Sequence, residues 1–145
     1  MDPSQPLTLT EAMGTEPLWI RIWLFVLVAT HFSALLFVVG REAGRWRARL
    51  EPIAILAGFF AAAMLMYWLY EQVGYTRLLG LGHLVFWTPV WLWVLSRRRA
   101  IGTPSLFGKY VHVYLVIAGI SLAIDAVDVV RYVVGEHAEI LHRWG

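Results

Sequence analysis

The chain alternates long apolar stretches with short polar ones, and the length of each apolar stretch decides what it can be. Residues 18–40 are broken only by Arg21 near the start and by His31. A helix rises 1.5 Å per residue, so a stretch of this length reaches about 34 Å and spans a hydrocarbon core of about 30 Å. The next stretch, residues 41–51, carries four arginines against two glutamates and cannot continue in lipid. Pro52 suits a first helical position, where no N–H is needed, and it opens the second apolar run, residues 53–70.

After a polar connection over residues 71–77 comes a third run, residues 78–96, ended by Arg97, Arg98 and Arg99. Pro89 denies the Val85 carbonyl its usual donor and predicts a kink in this helix. A loop with Gly102, Pro104 and Gly108 leads to the last run, residues 110–134, long enough to tilt in a bilayer. The expected architecture is all-α, an integral membrane four-helix bundle with spans at about 18–40, 53–70, 78–96 and 110–134. Its short loops make consecutive helices antiparallel neighbours. Residues 1–17 read as a polar lead-in, with Pro3, Pro6 and Pro17 leaving room for no more than a turn over residues 10–14. Residues 135–145 read as a polar tail.

Charge placement adds an orientation. Arg41, Arg45, Arg47, Arg49, Arg97, Arg98, Arg99 and Lys109 fall in the two loops after spans one and three, which is eight of the twelve basic residues. Basic loops stay in the cytoplasm, so both termini are expected on the non-cytoplasmic side, and the acidic lead-in (Asp2, Glu11, Glu16) agrees. That lead-in also lacks the basic start of a cleavable signal peptide.

Composition then narrows the class. Of 145 residues, 59% are apolar and 15% charged, against about 45–50% and about 25% in an ordinary soluble domain. The absence of cysteine excludes disulfides, thiolate metal sites and thiol nucleophiles. A formal charge of +2 gives no reason to expect a nucleic-acid partner. Eleven arginines against one lysine suggest a GC-rich bacterial genome, and hence a bacterial inner membrane as the location. The expected partners are the lipid bilayer and either further copies of the chain or a larger membrane complex.

The fourth run carries the chemistry. Tyr114, Ala118, Ser121, Asp125, Asp128 and Tyr132 are spaced four, three, four, three and four residues apart and share one helical stripe. A carboxylate facing lipid costs about 2.5–3.5 kcal/mol even on the most lenient scale, so this seam should face protein or water. Arg131 is placed to pair with Asp128 along the helix. Asp125 then needs a proton or a positive group from another span. Arg21, Glu71, Arg77 and His83 lie at similar depth, and a cluster of Arg21, His83, Asp125, Asp128 and Arg131 would make a hydrated pocket. The seam residues Asp125, Asp128, Arg131, Ser121, Arg21, His83 and Glu71 are therefore expected to bind or pass protons, cations or a small solute. The alternative is an ion-paired network that fixes helix register in an accessory subunit docking a larger complex.

Other chemistry is weaker. Haem b would need two imidazoles at one depth, and the least mismatched pair is His31 with His112, since His31 and His83 differ by about 12 Å in height by helix rise. His83, Asp125, Asp128 and Glu71 match a hard or borderline cation by donor type but follow no ligand spacing, so no metal is expected. No phosphate-cradling loop, Gly-x-Ser-x-Gly elbow or His-Glu-x-x-His motif is present, and no catalytic residue is expected. Ala54, Gly58 and Ala62 form a small-residue row suited to close helix packing within the chain or between copies.

Overall fold

The computed structural model describes residues 8–137. Four of its helical stretches are long and apolar enough to cross a membrane: Leu18–Phe37, Leu50–Val73, Arg77–Ile101 and Leu106–Val133. They comprise α2 (Leu18–Phe32, continued by a 3-10 turn over Ser33–Phe37), α3 (Leu50–Val73), a 3-10 turn at Arg77–Gly80 leading into α4 (Leu81–Ile101), and α5 (Leu106–Val133). A short helix, α1 (Leu9–Gly14), precedes them, and an antiparallel hairpin, β1 (Val39–Glu42) and β2 (Arg45–Ala48), joins the first span to the second.

The bundle is apolar on the outside. Along α5, Val113, Val116, Ile120, Ile124, Val127 and Val130 are exposed on one stripe, while Tyr114, Leu115, Ala118, Ser121 and Leu122 are buried. In α2, Ile22, Phe25, Val28 and Phe32 are likewise exposed. A face of this kind suits hydrocarbon, because in water it would leave a continuous greasy band. Helices α3 and α4, and α4 and α5, pack extensively, and α2 touches α3 and α5 more sparsely. The small-residue row is used within the chain: a side chain added at Gly58 would meet Val90 at 3.2 Å and the Phe86 carbonyl at 3.3 Å, and Ala62 is buried.

Several boundaries move. The first span ends at Phe37 because Val39 to Ala48 form a hairpin closed by Ala43 and Gly44, both with positive φ. Twin residues of that hand match the twist of a two-residue hairpin turn. Helix α3 begins at Leu50, so Pro52 sits third in its first turn, still among positions whose N–H has no helical partner. Helix α4 carries the three arginines inside it and ends at Ile101, and α5 starts at Leu106, capped by the Ser105 hydroxyl accepting from the Gly108 N–H at 2.9 Å.

The lead-in is also more than a solvated arm. Thr8 and Glu11 form a capping box, each side chain accepting from the other's backbone N–H, and this starts α1. Leu9, Ala12 and Glu16 are buried, with Leu9 packed in a cluster with Leu69 and Leu79. Residues 1–7 of the lead-in and 138–145 of the tail lie outside the described residues.

A cavity where the acidic seam meets the N-terminal helix

The stripe on α5 turns inward along its length, with Tyr114, Ala118 and Ser121 buried and Asp125 and Asp128 half-buried. Each carboxylate finds a partner from elsewhere in the chain. His83 Nδ1–H donates to Asp125 Oδ2 at 2.9 Å, and the Ser121 hydroxyl donates to the same oxygen at 3.4 Å. The other oxygen, Oδ1, lies over Gly80, where an added Cβ would approach it to 2.9 Å. The 3-10 turn therefore presents bare backbone to the aspartate. Because the acceptor is a carboxylate, Nδ1 must carry the proton of that imidazole.

Asp128 is bonded by Arg77 Nη1, from the same 3-10 turn, rather than by Arg131. Arg77 is buried, and its Nε lies 3.4 Å from Glu136 Oε2. Arg131 is drawn to Glu136 as well, at 3.0 Å through Nε and 2.9 Å through Nη2. The cause is the end of α5. Gly135 takes φ 118°, its N–H bonds the Tyr132 carbonyl at 3.1 Å, and the Glu136 N–H bonds the Arg131 carbonyl at 3.0 Å. This Schellman arrangement turns the chain back and sets Glu136 between the two arginines. The Arg131 hydrogen bond holds the exposed Glu136 carboxyl below the usual range.

These groups border a cavity of about 420 Å³. Ser121, Asp125, Asp128, His83 and Arg77 line one side, and Trp19, Trp23, Leu24 and Leu27 of α2 line another, with Met66 of α3. Leu9, Met13 and Glu16, from α1 and the residues after it, border the rest. Glu16 is 5% exposed and hydrogen-bonded to the Tyr75 side chain. Burial pushes its carboxyl up from 4.5, and the Tyr75 bond works against that rise. Tyr75 is itself raised, by burial first and then by the nearby Glu16 charge. Three buried polar atoms among the lining residues have no partner: Glu16 Oε2, Thr76 Oγ1 and Arg77 Nη2.

The structure thus brings together Ser121, Asp125, Asp128 and His83 of the expected site. It leaves Arg21 and Glu71 exposed and off the cavity, and it places Arg131 in the adjoining Glu136 pair. Sequence reasoning passed over Glu16, Tyr75 and Thr76, and gave Arg77 no pairing. The available signals were the Thr8 and Glu11 capping box, which announces a helix before the first span, and Gly80, whose missing side chain admits Asp125.

The histidines of the haem reading lie elsewhere. His31 is fully buried, its Nδ1–H donates to the Leu27 carbonyl at 2.7 Å, and its Nε2 has no partner. Its ring packs on Trp87 at 4.1 Å, with Phe59 at 5.2 Å and Tyr114 at 5.5 Å. His112 Nδ1–H donates to the Gly108 carbonyl at 2.8 Å. His83 also stacks on Trp87, at 3.9 Å, so His31 and His83 share one indole and are not a dozen ångströms apart in height. Counting rise assumed two upright helices starting level, and the ring contacts show that they do not. Among the described residues, no group of three His, Asp or Glu side chains is placed to hold a metal ion.

Comparison of the chain with protein-family models, with curated proteins and with solved structures finds no match in any of the three. What the site does is therefore argued from its own geometry.

Proposed function

We propose that the chain is a multi-pass protein of a bacterial inner membrane that binds a small solute or cation in the seam cavity and exchanges protons there. The observation that carries this reading is the space of about 420 Å³ left where Asp125, His83, Arg77 and Glu16 meet. A seam that served only to fix helix register would close on its partners. The other end of the bundle has such a closed pair, with Arg97 donating to buried Glu51 at 2.6 Å. At the seam end, buried polar atoms are left over beside an open volume, which is what a site awaiting a ligand or water requires. The His83–Asp125 hydrogen bond provides a proton at the cavity wall.

Both termini are proposed to lie outside the cytoplasm, supported by the eight basic residues in the loops at the opposite end. Reporter fusions that place the β1–β2 hairpin outside the cytoplasm would reverse this orientation. The functional test uses proteoliposomes of the purified chain with Asp125→Asn and Asp128→Asn. Loss of solute or proton flux is expected. Unchanged flux together with weakened recovery of a larger complex would make the chain an accessory subunit instead. The haem reading is supported by one feature, the partnerless Nε2 of His31, and a Soret band in the purified protein would establish it.

A further inference from the structure

The charges around the cavity are unequally matched, and the mismatch says what kind of solute it would take. Arg77 meets Asp128 and reaches Glu136, so its positive charge is answered within the protein. Asp125 is answered through one oxygen by His83 and Ser121, and its other oxygen lies over Gly80. Glu16 is left. It is 95% buried by accessible surface, touches the cavity, and keeps one oxygen without a donor. No lysine or arginine is paired with it among the described residues; it is hydrogen-bonded to Tyr75, a neutral group.

We propose that the cavity binds a small amphipathic amine as its ammonium ion, with the charged head at Glu16 and the carbon body against Trp19, Trp23 and Leu27. This rests on the reading of the cavity as a solute site. Size fits, since 420 Å³ falls within the usual range of small-molecule pockets. Chemistry fits too. An ammonium group offers donors to the partnerless carboxylate oxygen, a charge-assisted hydrogen bond in a site of low polarity. The faces of Trp19 and Trp23 attract cations as well as apolar carbon. Arg77 Nη2 and Thr76 Oγ1 need only a neutral hydroxyl or carbonyl, or water, because the arginine charge is already satisfied. An anionic solute would instead face Glu16, Asp125 and Asp128 together.

Burial pushes the Glu16 carboxyl up, which extends the pH range over which it stays neutral. An ammonium ion favours the carboxylate. At pH values where Glu16 is still protonated, binding therefore releases its proton to the solvent, while the ammonium ion keeps its own. The other groups facing the cavity are Tyr75, Arg77, His83, Asp125 and Asp128, all engaged in the pairs described above.

The test uses the full chain in nanodiscs of uncharged lipid, titrated calorimetrically with phenethylammonium, phenethyl alcohol, 3-phenylpropionate and phenylalanine. Phenethylammonium should bind about tenfold or more tightly than the alcohol, as one charge-assisted hydrogen bond implies. It should release protons in weak buffer and bind more tightly as pH rises through the Glu16 titration. Glu16→Gln, which imitates the neutral acid and should keep the fold, should remove the amine preference and the proton release while sparing the alcohol. If the alcohol or 3-phenylpropionate binds as well as the amine, the amine assignment is overturned and the cavity remains a solute site. If phenylalanine wins, Arg77 is reading a carboxylate, and the simple amine is likewise wrong. If no probe binds and Asp125→Asn leaves flux intact, both the assignment and the reading beneath it fall.

Discussion

The two ends of the bundle are made from the same helices, yet among the described residues one packs into an apolar cluster and the other borders a cavity. At the hairpin end, Ala34, Ile55, Val94, Val111 and Tyr114 form a closed cluster, with Phe37 stacked on Tyr110 at 4.9 Å. Its charges close as well: Glu51 takes Arg97, and Arg49 lies 4.4 Å above the Phe107 ring while bonding Glu42 at 3.4 Å. At the seam end the charged groups Glu16, Arg77, Asp125 and Asp128 border a cavity. The contrast teaches that charge on a long apolar helix does not by itself mark a site. Volume beside the charge is what sets the seam end apart, since a buried polar atom without a partner also occurs at His31, against Tyr114 of the closed cluster.

The contrast can be broken most forcefully at the filled end. Tyr114 is fully buried, and Tyr114→Ala should cost about 3–5 kcal/mol, the range for removing a large core ring. Equilibrium unfolding in detergent measures it. A loss well under about 1 kcal/mol would mean that the hairpin end is no better filled than the seam end.

A smaller effect is expected from Asp128→Asn, which leaves the Arg77 guanidinium to Glu136 alone. With Arg77 only 7% exposed, the cost should be about 1–3 kcal/mol. The double variant with Arg77→Met should recover part of it, because the stranded charge is then gone. Equal losses in the single and double variants would show that the pair does not act as a unit.

Smaller still in stability, but sharper at the site, is Gly80→Ala. The new Cβ would stand 2.9 Å from Asp125 Oδ1 and 3.3 Å from its Cα, so α5 or the turn must shift. The stability cost should be about 1–2 kcal/mol, while the His83–Asp125 contact is lost. Proton flux falling by no more than flux in Ser121→Ala would show that this contact is dispensable.

The phase of the fourth helix was legible because a polar residue every three or four positions on an apolar helix admits few arrangements, and the seam does face inward. The four spans were legible for the same reason of pattern. What escaped lay where the chain departs from long helix. The loop of residues 41–51 hides a hairpin whose strands share β1 and β2 register from Val39 to Ala48. Arg77 answers Asp128 because a 3-10 turn carries it under α5, and no periodicity in the sequence records that turn. Arg131 goes to Glu136 because Gly135 reverses the chain, an outcome invisible to a count along one helix. Arg21 and Glu71 are exposed and off the cavity, because rise per residue says nothing of azimuth around the bundle.

The smallest effect expected is a pH dependence in how α1 sits on the cavity. The folded Glu16 carboxyl is raised above its ordinary value of 4.5 by burial, so docking of α1 favours the protonated acid. Docking is then fully favoured below 4.5 and loses that contribution as pH rises through the raised value. Hydrogen exchange at residues 9–14, corrected for its intrinsic pH dependence, should show protection falling over that window. Glu16→Gln should hold protection constant. Tyr75→Phe should move the window higher, since the Tyr75 bond is what pulls the Glu16 value down. Protection that rises with pH in the unaltered chain would reverse the sign and place an ionised Glu16 in the docked state. The hollow end would then be held together by a charge it already accommodates, and the amine would have no proton to displace.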